Sequence, residues 1–179
     1  MLFYVSTLCH FIVLPFAFLY TESEGLVLQS RRGLSDRSAD MGAGPVEALF
    51  KRDGVVSGNL LGVSAGSLYN ETTSVGTVAC SGAVSIAGNE TGVLLSAGGL
   101  LYSYDGTTFA TVSFPDGANV IKVVDGASRF VAIRADSGRF YFSPPLAQTF
   151  GALDFATAES EPDQLLDAVF IDDILVLFG

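Results

Sequence analysis

Gly62-Val63-Ser64-Ala65-Gly66 reads as G-x-S-x-G, the pattern in which a strained strand-to-helix turn presents a nucleophilic serine. Acyl transfer by such a serine needs a base beside it, and hydrolases of this kind carry their histidine after the serine. The single histidine, His10, lies upstream in an apolar stretch. The surrounding pattern is strand, turn, strand, with no helix following, so these residues favour a Ser-Gly hairpin turn over a nucleophile. The carboxylates near the end of the sequence, Asp154, Glu159, Glu161, Asp163, Asp167, Asp172 and Asp173, have no basic residue among them. They lack the alternating Asp/Asn, Gly and twelfth-position Glu of a calcium loop, which leaves a solvated acidic loop as the expectation. Cys9, Cys80 and His10 do not have the paired spacing of a zinc site, and two cysteines allow at most one bridge.

Asn70-Glu71-Thr72 and Asn89-Glu90-Thr91 are glycosylation sequons that matter only in a secreted chain, and both fall where a turn already calls for Asn. Tyr102, Tyr104, Phe140, Tyr141 and Phe142 have the character of base-stacking aromatics, but single-strand binders set such rings in a basic groove. Here 9 Lys+Arg stand against 19 Asp+Glu, a net charge of -10, which disfavours any surface that works by neutralising phosphates. The aromatics are expected in sheet-face core. No phosphate-cradling loop or dinucleotide fingerprint is present, and no catalytic, cofactor-binding or metal-ligating residue is assigned.

The elements that carry these residues are short. With 179 residues, 49% hydrophobic and 16% charged, the chain has the apolar content of one folded domain. Residues 1–24 form an apolar N-terminal segment, uncharged through residue 20 and long enough to cross a hydrocarbon layer of ~30 Å. It lacks the basic n-region and small-residue cleavage site of a secretory signal, and Pro15 and its polar residues tax insertion as an anchor, so a membrane role is disfavoured. A buried arm, or a segment outside the fold, is the plainer reading. Residues 25–45 are polar and turn-rich and read as a linker.

From residue 46 to 179 the chain alternates short apolar runs with the turn dipeptides Asp53-Gly54, Asp105-Gly106, Asp116-Gly117 and Asp125-Gly126, an all-β signature. A loose repeat places Tyr69, Tyr102 and Tyr141 at spacings of 33 and 39 residues, close to the roughly 40 to 50 residues of a four-stranded propeller blade. Meanders are expected at 46–79, 83–114 and 119–157, and a last hairpin turns about Asp172-Asp173. The predicted fold is a partial β-propeller of antiparallel meander blades, about three and a half in number. Propellers use about 4 to 8 blades, so the reading expects a fragment of a longer protein or a fold completed by another chain. Gly106 and Gly126 are expected to adopt positive φ, and Pro162 beside Asp163 to fix the loop before the last hairpin.

Several segments taken in order resemble the tail-hub, or packaged-DNA stabilisation (head-completion), proteins of short-tailed phages. They are GLVLQSRRGL at 25–34, MGAGPVEALF at 41–50, GSLY at 66–69, SYDGTTF at 103–109 and FATAESEPDQLLDAVFIDDILVLFG at 155–179. The resemblance implies a propeller-like, non-enzymatic virion subunit that assembles as a ring beneath the portal and adaptor. Such a ring closes the DNA exit channel by steric plugging and receives the tail needle. It implies a phage-tail location, or a prophage-encoded product in the bacterial cytoplasm, with no cofactor and no sequence-specific nucleic-acid binding. The alternative that residues 1–20 and the sequons leave open is an exported or membrane-anchored β-repeat binding module.

Overall fold

The computed structural model describes residues 17–22, 25–30, 41–117, 119–158 and 163–179. The chain divides into two compact units, residues 1–38 and 39–179. In the first, strands β1 (Ala17–Glu22) and β2 (Gly25–Ser30) form an antiparallel hairpin with Ala17 opposite Ser30. Residues 25–30 were expected in a linker. They are a strand because Leu26, Val27 and Leu28 form an apolar run close in sequence to the β-prone Phe18-Leu19-Tyr20-Thr21, with which it pairs. The expectations for residues 1–16, 31–40 and Pro162 lie outside the described residues.

Among its described residues the second unit is all-β apart from one 3-10 turn at Val56–Gly58. Its first sheet runs in order through β3 (Val46–Phe50), β4 (Leu61–Ser64), β5 (Ser67–Asn70) and β6 (Thr73–Thr77). The second holds β7 (Ser85–Asn89), β8 (Gly92–Ala97), β9 (Leu100–Tyr104) and β10 (Phe109–Val112). The third holds β11 (Val120–Gly126), β12 (Arg129–Arg134), β13 (Arg139–Phe142) and β14 (Phe155–Thr157), and β15 (Asp167–Ile171) pairs with β16 (Ile174–Phe178). Every strand pairs antiparallel with the next in its sheet, and neighbouring sheets meet through their first strands. This is a partial β-propeller of three four-stranded blades and one two-stranded blade.

Blade-on-blade packing explains the apolar runs. Val93, Leu95 and Ala97 of β8 pack with Leu61, Val63 and Leu68 of the first blade. Leu94, between them in sequence, points the other way and packs with Phe130 and Tyr141 of the third. A central blade is therefore buried on both faces, and β8 is buried at every position instead of alternating. Each such Val or Leu contributes about 1.5 to 3 kcal/mol of burial. The third cluster joins Ile133 of β12 to Leu165 and Ala168 beside and within the last hairpin. The outermost strands carry Thr73, Ser74, Thr77 and Thr111 exposed to solvent, which limits edge pairing.

Gly106 has φ 99° in the turn between β9 and β10. Gly126 differs from expectation: it is the last paired residue of β11, opposite Arg129, and its φ is not positive. The two-residue loop falls instead on Ala127 (φ 48°) and Ser128 (φ 61°). Glycine is needed at 126 for space, because the Phe170 ring of β15 lies where a Cβ would stand. Phe50 meets Gly88 of β7 in the same way, 2.6 Å from the Cβ position. Gly126→Ala should cost about 1 to 3 kcal/mol through displacement of Phe170. In hydrogen exchange the loss should concentrate in residues 167–178; wild-type protection there would refute it.

Candidate functional site

Strands β3, β7, β11 and β15 lie side by side as the inner strands of the fan and bound a groove of about 490 Å³, lined by Ala48, Ser85, Ala87, Lys122 and Ala168 among others. The turns that leave these strands widen one end of the groove into a mouth of about 900 Å³. Small side chains let the strands approach, and three polar residues tie them. Arg52, just past β3, donates from Nη1 to the Gly88 carbonyl at 2.7 Å and pairs with Asp125 Oδ2 at 2.5 Å, so one guanidinium spans three blades. Ser85 Oγ donates to the Val123 carbonyl at 2.9 Å and accepts from Val123 N at 3.3 Å. Lys122 Nζ lies 2.9 Å from Asp167 Oδ1, joining the third blade to the last hairpin.

Asp167 was expected in a solvated acidic loop, yet this carboxylate faces a lysine that lies far away in sequence. The Lys122 hydrogen bond, with the Ala168 N–H, holds its carboxyl below the ordinary 3.8. A depressed folded value means that the stabilisation is complete above the unfolded value and is lost as pH falls through the folded one. The tie is half exposed, so its contribution should stay below about 1 kcal/mol. Wild type should exceed Asp167→Asn in denaturation midpoint at neutral pH, and the difference should vanish in acid below 3.8. A gap that persists at the lowest pH would contradict the assignment.

The other candidates fall into place. Ser64 is fully buried at the end of β4, and its Oγ donates to the Gly44 carbonyl at 3.0 Å. Ala65 (φ 49°) and Gly66 (φ 71°) then form a hairpin turn, so the G-x-S-x-G match presents no exposed hydroxyl. Among the described residues, no three His, Cys, Asp or Glu side chains converge as metal ligands. Burial and the Glu47 carboxylate push the Cys80 thiol up to about 11. Asp105 Oδ1 accepts from Thr107 N at 2.8 Å and Thr108 N at 2.6 Å, which lowers its pKa and shapes the turn around Gly106. Asp163 is exposed.

Tyr102, Tyr104 and Tyr141 are buried, and Tyr102 stacks on Phe109 with centroids 5.5 Å apart. Both sequon asparagines are engaged, Asn70 across to the next blade and Asn89 within its own turn. Asn70 Nδ2 donates to Tyr104 OH at 3.0 Å, and buried Asn89 accepts through Oδ1 from Thr91 N and Oγ1. Among the described residues no helix is long and apolar enough to cross a membrane.

Sequence reasoning missed Arg52, Ser85 and Lys122. No local signal marks them, since each partner lies at least 36 positions away. Against known families, a model described as Bacteriophage P22 Gp10, β-propeller, matches residues 27–179. No curated protein matches the chain.

Proposed function

Because the chain belongs to the P22 Gp10 β-propeller family of structural phage proteins, we propose that it serves as a tail hub that closes the portal channel and retains packaged DNA by steric plugging. Membership across most of the chain is the observation that carries this reading. Its partners would be the portal and adaptor ring above and the tail needle below, engaged by a ring of copies within the virion.

The physics of the molecule supports the plug. Retaining a compressed duplex demands a body that does not shear. Here Arg52, Ser85 and Lys122 tie each inner strand to its neighbour, while apolar clusters fill the space between blades. With a net charge of -10 the chain gains nothing from phosphate neutralisation, so retention would come from blocking the exit and not from adhesion.

Deleting the gene from the phage or prophage that carries it tests the proposal. Heads should package DNA and then lose it, read as nuclease-sensitive DNA and empty particles, with recovery when the chain is supplied in trans. DNA-filled, nuclease-resistant particles at the wild-type level would overturn it.

A further inference from the structure

The first and last blades differ in what covers their outer faces. On the first, Gly62 and Tyr69 pair on the face turned away from the second blade, since Leu61 and Val63 on either side of Gly62 point toward it. Residues 41–44 cover that face: buried Met41 reaches Gly62, Gly42 lies against the Tyr69 hydroxyl, and Gly44 lies against Ala65. On the last hairpin, Ala168, Leu175 and Leu177 pack toward the third blade, and Phe170 lies over Gly126. Val169, Ile171, Ile174, Val176 and Phe178 alternate with them and share the opposite face, because paired residues of an antiparallel hairpin point the same way.

That opposite face is open. Val169, Ile171, Ile174 and Phe178 are 38%, 56%, 66% and 48% exposed. Its one carboxylate, Asp167 opposite Phe178, is already held by Lys122, and Asp172 and Asp173 stand apart in the turn. The face presents roughly 400 Å² of contiguous apolar surface, within the size range of patches that mark interaction sites. Throughout the molecule blade packs on blade through such faces, so the matching surface is another flat apolar hairpin face. The first blade does not offer one, because residues 41–44 occupy it. The same face of a second copy does, and two copies together would bury roughly 800 to 1,000 Å², near the lower limit for a specific protein contact.

We infer that the outer face of the β15–β16 hairpin packs against the same face of a second copy. Val169 and Val176 of each copy lie at the centre, and the two Asp172-Asp173 turns point to opposite ends. A two-fold contact closes at two copies, so the ring of the hub reading would use other surfaces and the two proposals fail independently.

Sedimentation velocity of the full chain tests it. Monomer should pass to dimer with a dissociation constant of about 10 to 100 µM, as expected of a contact this small. Each copy carries a net charge of -10, so added salt should tighten the dimer by screening repulsion; weakening by salt would overturn the inference. Ile174→Lys alters an exposed position and leaves the inner packing intact, yet should weaken the dimer by about tenfold, since the contact would bury an unpaired ammonium. Leu153→Lys replaces an 87% exposed apolar side chain in another loop and should change nothing. Val169→Lys separates face from edge, because it lies on β15, one strand in from the free edge of β16. It should weaken the dimer; a dimer left intact by it would be joined along the β16 edge and overturn the inference. A monomer at about 500 µM, assembly beyond two copies, or an equal loss with Leu153→Lys would do the same.

Discussion

Tyr141→Ala should destabilise the chain by about 3 to 5 kcal/mol, as measured by urea denaturation, a large part of the roughly 5 to 15 kcal/mol that holds a typical domain together. The side chain is 2% exposed and sits on β13 between two blades. Its ring meets Phe114 edge-on at 4.8 Å and 69°, and Phe155 at 5.7 Å. Alanine would leave a cavity at the centre of that cluster. The hydroxyl adds a separable part by donating to Asp116 Oδ2 at 2.8 Å, where Arg134 Nε also stands at 2.7 Å. Burial, and then the Asp116 charge, hold the phenol above its ordinary range, so it remains a donor at every physiological pH. Tyr141→Phe should accordingly lose only about 1 kcal/mol. Equal losses for the two variants would mean that the ring packing contributes little, against the geometry.

Gly92→Ala should cost about 2 to 6 kcal/mol, combining backbone strain with overpacking. Gly92 opens β8 at φ 132°, a conformation that side chains rarely adopt. An added Cβ would lie 2.5 Å from the Tyr104 carbonyl oxygen and 2.8 Å from Asp105 Cα, both backbone atoms of the paired strand's end. They cannot swing aside as a side chain does. Gly106→Ala makes the contrast: φ is 99°, but the new Cβ meets only Val56 Cγ1 at 3.5 Å, so about 1 kcal/mol of turn strain is expected. Thermal melting of the two variants side by side should rank Gly92→Ala well below Gly106→Ala. The reverse order would show that conformational strain, and not contact with the neighbouring backbone, governs these turns.

The two glycines show how much was legible. Gly106 follows Asp105 in a turn dipeptide, and nearest-neighbour chemistry sufficed to expect its positive φ. Gly92 stands in Thr91-Gly92-Val93 and gives no such sign, because what requires it is the end of another strand. Gly126 looked like Gly106 from the sequence alone, and the likeness misled. The strand continues through it, the turn moves to Ala127 and Ser128, and its lack of a side chain serves Phe170, 44 residues later. Asp167 was misread for the same reason, its partner Lys122 being 45 residues upstream.

Turn dipeptides, apolar runs and the spacing of Tyr69, Tyr102 and Tyr141 determined by themselves that this protein is a series of four-stranded antiparallel meanders, because hairpins join neighbours in the chain and their code is local. The acidic balance likewise set aside phosphate neutralisation without any coordinates, since net charge is a sum over residues. Tertiary structure alone decided which polar groups bind blade to blade, namely Arg52, Ser85 and Lys122 with their distant partners. Those relations join residues on different blades, and periodicity along a strand carries no information about what a side chain meets on the next one.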